Sequence, residues 1–394
     1  MPPDSATKLG LPDHELKIPA VLMRGGTSRG LIFKREDLPA RGDANRRLWD
    51  LIFLSALGSP DPRQLDGVGA GDSHCSKVAV LNQSPDDAVD VEFLFAEVAI
   101  DEARVDYAGN SGNIISAVGL FAVEEGWVAP VAPKTRVRIR NLNTDKMIEV
   151  LVPVEHGRTT ASSTFCIDGV PGQGPEIEMR FPDPGASICS HLLPAGEALS
   201  ELSVAGIGSV QVSLVDAANP IVLIDGKALK VDPETPVATL NSNTRLLASI
   251  QAIRAQAAVA CGLVPDPEDA WHYSPMVPFP VLVFAASDVS RVDLCVRVIS
   301  LGRFHKAINV TVSVAITAAS HIPGCLIRQL CPNLPSTGRL RIGHPSGRIQ
   351  TRCEAATVEG RTQIQAVSIS RTARRIMQGE ILVQPGKLRW LASL

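Results

Sequence analysis

Aromatic side chains are scarce in this 394-residue sequence: two Tyr and four Trp, and 4% of the chain with Phe included. So few rings leave no stacking platform for bases or sugars. No run reaches the roughly 18 apolar residues of a membrane-spanning helix; the longest stop at about 13, a length that suits buried core helices. Met1 to Lys17 is polar and lacks the apolar stretch of a secretory leader. The eight cysteines form no C-x-x-C pair and none stands at zinc-finger spacing from a histidine. They read as mostly buried thiols of a reducing compartment, so a cytoplasmic enzyme is expected. An excess of one charge is missing too: 38 Lys and Arg face 41 Asp and Glu, a net charge of −3. That balance argues against a nucleic-acid or anionic-membrane surface, though it leaves room for a local basic pocket around a small acid.

What is present is ordinary globular composition, 45% hydrophobic and 20% charged, at a length that predicts two domains. Short β-like segments dominate. Ala20–Met23, Leu31–Phe33 and Lys77–Leu81 are compact apolar runs, and Val89, Val91, Phe93 and Phe95 alternate with mostly polar neighbours. Thr135–Arg140, Met147–Val154, Ile177–Phe181 and Gln211–Leu214 continue the pattern. Many short strands separated by turns point to antiparallel sheet rather than βαβ repeats. Two segments break it, Gly112–Glu125 and Lys306–Ser320, each apolar on nearly every face and so expected as a buried helix. They lie about half a chain apart, which suggests two similar α+β domains. A third segment, Asn243–Cys261, reads as a surface helix with Arg245 and Arg254 on its polar side. Asp183–Ser190 and the turn Leu193–Gly196 are the expected crossover. The expected domains are 18–185 around helix 112–125 and 186–380 around helix 306–320, with 381–394 a C-terminal strand returning to the first domain.

The densest polar cluster, Asp106–Asn113 (DYAGNSGN), runs straight into the first buried helix. A helix start presents unsatisfied N–H groups and about half a positive charge, so burying it invites an anion. Gly109 and Gly112 allow close backbone approach. Asn110 and Asn113 can donate to carboxylate oxygens, and Ser111 can face a ligand. A simple cap needs only one of these residues. Met23–Gly30 (MRGGTSRG) has paired glycines with Thr27 and Ser28, whose N–H groups can form an anion nest, and Arg24 and Arg29 suited to carboxylates; alone it reads as a glycine-rich hairpin loop. Gly67–Lys77 (GVGAGDSHCSK) precedes a strand, so neither a P-loop nor a dinucleotide turn is supported. Its last residue, Lys77, opens an apolar run, and a buried lysine can serve as a base; alone it reads as a strand-end surface lysine. Further polar islands are Asp216–Pro220, His305–Lys306, Gly343–Gly347 and Arg371–Arg375. His305 and Lys306 open the second buried helix as GNSGN opens the first, so the two helix starts could meet in one cleft.

Taken in order, MRGGTSRG, SKVAVL, GNSGN, DAANP, HKA, IPG, IGHPSG and RTARRIM resemble the PrpF family, which includes 2-methylaconitate, methylitaconate and aconitate isomerases and 4-oxalomesaconate tautomerases. The resemblance covers nearly the whole chain. It implies a diaminopimelate-epimerase-like fold: two pseudo-symmetric domains, each a β-barrel-like antiparallel sheet around a central helix, with the site between them. It also implies metal-free, cofactor-free proton transfer on a small polycarboxylate. Lys77 falls on the family's acid/base lysine. Ser111 stands where many relatives carry a catalytic cysteine, and a hydroxyl without an activating partner is a poor base. Lys77 and Ser111 are thus the expected catalytic pair, with Arg24, Thr27, Ser28, Asn110, Gly112, Asn113, His305 and Lys306 binding substrate. Cys75, near Lys77, is an alternative source of the missing thiol. The expected reaction is a 1,3-proton shift that moves a C=C bond on an aconitate-type acid. An oxo-acid tautomerase, an amino-acid epimerase and a noncatalytic carboxylate-binding relative remain alternatives. A homodimer is compatible with this reading; nucleic acid and membrane are not expected partners.

Overall fold

The computed structural model describes residues 11–39, 43–160, 163–335, 338–358 and 361–394. The segments read as strands are strands. In the first half they are β1 (Leu16–Gly25), β2 (Ser28–Lys34), β3 (Lys77–Gln83), β4 (Val91–Val98), β5 (Lys134–Asn141), β6 (Lys146–Glu155) and β7 (Ile177–Pro182). Then follow β8 (Ser200–Val204), β9 (Gly208–Ala217), β10 (Asn219–Asp225), β11 (Phe279–Ala285), β12 (Leu294–Ser300), β13 (Arg339–His344), β14 (Gly347–Val358), β15 (Arg361–Arg371) and β16 (Ala373–Val383). Five helices matter here: α1 (Asp43–Leu57), α2 (Gly112–Glu124), α3 (Thr244–Ala260), α4 (Val310–Ala319) and α5 (Pro385–Ala392).

The strands pair into one large mixed sheet. From β1 to β7 successive pairings run antiparallel, parallel, antiparallel, parallel, antiparallel, antiparallel. From β9 to β15 the same sequence of senses repeats. The two runs join where β7 pairs with β15. This corrects the expectation of purely antiparallel sheet. The parallel pairs β2–β3, β4–β5, β10–β11 and β12–β13 are each bridged by one of α1, α2, α3 and α4, because a parallel pair needs a long crossover and a helix supplies it. The repeats are therefore built on four βαβ units.

Burial explains the helices. Gly112 to Val123 of α2 are all buried, as is every residue of α4. Both lie in one apolar cluster with inward side chains of the strands, among them Phe93, Phe95, Val150, Val296 and Ile342. The second helix starts at Val310, four residues later than expected, because His305 still donates its N–H to the Val298 carbonyl and Asn309 is extended. Helix α3 matches its expected span, with the Asn243 side chain capping its start. Arg254, however, is buried rather than on a polar face, its Nη1 donating to the Val277 carbonyl at 3.2 Å.

The return of the C-terminus to the first half begins earlier than expected. Strand β16 covers β1 from end to end. Residues 385–392 are helix, not strand: Pro385 suits a first helical turn, and Leu388 and Leu391 bury one face against the cluster that holds α1. No helix among the described residues is long and apolar enough to cross a membrane.

Candidate functional site

Lys77 begins β3 with its side chain turned inward, 4% exposed. Directly across the antiparallel ladder stands Glu97, equally buried, and the two form an ion pair. The ring of Phe95 closes over the ammonium, 5.5 Å from Nζ to its centroid. Burial pushes the Glu97 carboxyl up, against the pull of Lys77. The loop leading to Lys77 is wrapped around buried Gln64, whose Oε1 accepts from the Ala70 and Gly71 N–H groups and whose Nε2 donates to Ser76. Its glycines therefore serve packing and not a phosphate.

The starts of α2 and α4 meet. A Cβ at Gly112 would stand 2.4 Å from Val310 Cγ1 and 3.3 Å from the Thr311 nitrogen, so only glycine admits this approach. Buried Asn219 ties the two starts together, donating to the Asn110 carbonyl (3.1 Å) and to Thr311 Oγ1 (2.8 Å). Asn113 reaches the MRGGTSRG turn, where its Nδ2 donates to Thr27 Oγ1 at 3.1 Å and its Oδ1 accepts from the Thr27 N–H. Gly26, at φ +51°, leaves space for that side chain. Ser111 occupies the α2 N-cap position, yet its hydroxyl makes no capping bond.

These pieces surround a small cavity of about 10 Å³, lined by Ser28, His74, Lys77, Ser111, Gly112, Asn113, His305, Ile308, Asn309 and Val310. That is room for roughly one water molecule. An open cleft of about 350 Å³ adjoins it, bordered by Asp72, Glu97, Arg104, Trp271, Arg303 and Lys306. His74 and His305 border both spaces, with ring centroids 4.8 Å apart. His74 is hydrogen-bonded to Asp72, which holds that carboxyl well below its usual range, and Lys306 reaches the same carboxylate at 3.2 Å. Among the described residues, no group of three His, Cys, Asp or Glu side chains is arranged to hold a metal.

The structure brings together Lys77, Ser111, Ser28, Gly112, Asn113 and His305 in one cavity, with Thr27 one hydrogen bond behind it; Asn110 precedes Ser111 in the chain but does not line the cavity, its carbonyl being held by Asn219. Two expected residues stand apart. Lys306 is exposed on the outer cleft, in a bend four residues before α4 begins. Arg24 donates Nη1 to the Gly26 and Thr372 carbonyls and so holds the turn. Cys75 does not line the cavity, and burial pushes its thiol up, which leaves it a poor stand-in for the family thiol.

Glu97, His74, Asn219 and Asn309 were not among the expected site residues. Glu97 did leave a signal: it continues the alternation of Val91, Phe93 and Phe95, so it is a carboxylate on the buried face of its strand. Asn219 lay in the DAANP island, but only the contact between the two helices shows what it ties.

Comparison with known proteins agrees in scale with this architecture. The model of the PrpF protein family matches residues 15–384. The 3-methylitaconate isomerase of Eubacterium barkeri is 35% identical over 95% of this chain and 99% of its own. The 2-methyl-aconitate isomerase of Cupriavidus necator is 33% identical over 94% and 98%, and the 4-oxalomesaconate tautomerase of Pseudomonas putida 35% over 95% and 98%. Among solved structures, a methylitaconate Δ-isomerase superposes with a TM-score of 0.75 at 36% identity, covering 95% of this chain and 97% of that one. A hydroxyproline epimerase from Agrobacterium vitis shares the fold at a TM-score of 0.59 and 12% identity, over 94% and 93%.

Proposed function

The chain belongs to the PrpF family and is an isomerase of the methylitaconate, methylaconitate or oxalomesaconate type, and from that premise we propose that it moves a C=C bond by a 1,3-proton shift on an aconitate-type polycarboxylate. The observation that carries this reading is Lys77, sunk in a cavity between two helix starts and held by Glu97. In this reading the resting ion pair passes its proton from Lys77 to Glu97, whose carboxyl is raised by burial, as substrate binds, and Lys77 acts as the free amine. The amine takes a proton from the γ-carbon of the enoate. The C–H electrons form the new double bond, and the old one moves its pair toward the α-carbon and its carboxylate. The N–H groups at Ser111 to Asn113 stabilise that dienolate, at about 3 kcal/mol per donor. Lys77 then returns the proton to the α-carbon. No cofactor takes part in these steps.

The repeated pairing order supports the further reading of two barrel-like domains with the site between them, the first 18–185 together with the returning strand β16, the second from 186 to the end of β15. A cavity of about 10 Å³ is smaller than a polycarboxylate, so binding in this reading widens the site. A second reading, an oxo-acid tautomerase, rests on the Pseudomonas putida relative and uses the same Lys77 step on an enol.

A proton NMR time course in deuterated water tests this, with cis-aconitate, methylitaconate and an oxalomesaconate panel, and with wild type, Lys77→Ala and Ser111→Ala. New alkene isomer from one acid, lost in Lys77→Ala and retained at reduced rate in Ser111→Ala, is expected. A Lys77→Ala variant as fast as wild type would remove Lys77 from the reaction. Binding of every acid without turnover of any would instead make the chain a carboxylate-binding relative.

A further inference from the structure

His305 is 6% exposed, and neither ring nitrogen has a hydrogen-bond partner among the described residues. A buried imidazole carries one N–H donor and one lone pair, and leaving both unmade is unfavourable. Structural histidines escape this by bonding a carbonyl or carboxylate. His74, whose ring packs tilted against it, does so with Asp72. His305 does not, and its ring lines the same small cavity as Lys77 and Ser111. Asn309, beside it at the start of α4, also has an unpartnered buried Oδ1. Unmade bonds of both residues thus border the space where the proposed reaction develops charge.

Building on the proton-shift reading above, we propose that His305 is a catalytic residue whose ring N–H donates to the substrate carboxylate that takes up charge as Lys77 removes the γ-proton. Its surroundings hold the ring uncharged. Burial lowers its pKa well below the ordinary value, and the nearby His74 and Lys77 lower it further. An uncharged imidazole keeps its N–H without drawing the γ-proton away from Lys77, and it does not repel the ammonium that Lys77 becomes. The donor is fixed before the reaction starts, because the ring is packed against His74, so no reorganisation accompanies charge development. No proton leaves His305 in either step. The atoms that move are the γ-proton, to Lys77 and back to the α-carbon, and the allylic electron pairs.

Two variants and one spectrum test this. His305→Phe fills the space and removes both nitrogens; His305→Gln keeps an N–H. With the acid that wild type turns over, the Phe variant is expected to lose about 100- to 1,000-fold in kcat with KM within about threefold, and the Gln variant to recover about tenfold. Thermal melting confirms that both fold. A Phe variant with kcat near wild type, a loss confined to KM, or a Gln variant no faster than Phe would overturn the proposal. The spectrum needs no turnover. In protein labelled with ¹⁵N-histidine, His305, assigned by its disappearance in the Gln variant, should show one N–H and one bare nitrogen at neutral pH. Added tricarballylate, a saturated tricarboxylate, should move that N–H proton downfield. An imidazolium, or a resonance that tricarballylate leaves in place, would overturn the proposal. Failure of the wild type to convert any acid would instead sink the proton-shift reading, while the resonance still reports on the donor contact.

Discussion

Replacing Gly112 by Ala puts a methyl group into the contact between the two helix starts. It would sit 2.4 Å from Val310 Cγ1 and 2.6 Å from Val310 Cβ. Carbon atoms prefer about 3.5 Å or more, so the starts must move apart by about 1 Å. Helix propensity favours the change by at most about 1 kcal/mol. Overpacking opposes it by about 1–3 kcal/mol, so the clash wins by roughly 1–2 kcal/mol. In a chain of this length that lowers Tm by only about 1–3 °C. The effect on rate is expected to be far larger, because displacing reacting groups by about 1 Å lowers rates on the order of 100-fold. Calorimetry and the NMR rate assay measure the two effects side by side. Gly112→Ala with Val310→Gly moves the missing side chain to the other helix, and the pair should recover both Tm and rate beyond the sum of the single changes. Full activity in Gly112→Ala alone, or no recovery in the double variant, would refute the claim that this contact sets the site's geometry.

Glu97→Ala strands the Lys77 charge in the interior and should lower stability by about 3–5 kcal/mol, whereas Lys77→Met with Glu97→Leu should be as stable as wild type or more so. Urea unfolding decides, and a double variant no more stable than Glu97→Ala would disprove the buried pair. Burial, helped by the charge of Arg371, holds His344 at about 4 against its ordinary 6.5. The fold thus favours the uncharged ring, and the unfolded chain takes up its proton first as pH falls. Stability is complete above about pH 6.5 and declines toward pH 4, by about 3 kcal/mol in total from this residue. His305 acts in the same direction. Unfolding free energies across this range should slope less in His344→Asn, and equal slopes would contradict the assignment.

The strands were legible because inward and outward residues alternate along them, as in Thr135–Arg140, where the buried set is Thr135, Val137 and Ile139. The buried helices were legible because α2 and α4 are apolar all round. The parallel pairings were not. One of them depends on α1, whose Leu48, Leu51 and Ile52 do carry helical spacing but whose role as a crossover shows only once β2 and β3 lie side by side. The second helix was read too long because Lys306 to Asn309 is composed like the helix it precedes, whereas His305 is still bonded to Val298, residues 306–307 form a bend and Asn309 is extended. Lys77 and GNSGN could be picked out as neighbours of apolar runs. Glu97, 20 residues further on, and Asn219, 109 residues beyond Asn110, join them only through tertiary pairing.

Strand β16 has a consequence for how the chain is made. It is the outer neighbour of β1, and Ala373 pairs with Gly25, 373 − 25 = 348 residues earlier. At about 5–20 residues per second, β1 waits some 20–70 s on the ribosome before this partner is synthesised. Through that interval its outer edge is open to pairing with any other strand. Lys17 and Pro19 lie along that edge, a charge and a residue with no N–H to offer, and both discourage the wrong partner. The native partner accepts the proline, pairing Glu380 opposite Pro19. The first half of the molecule is therefore translated early but sealed last.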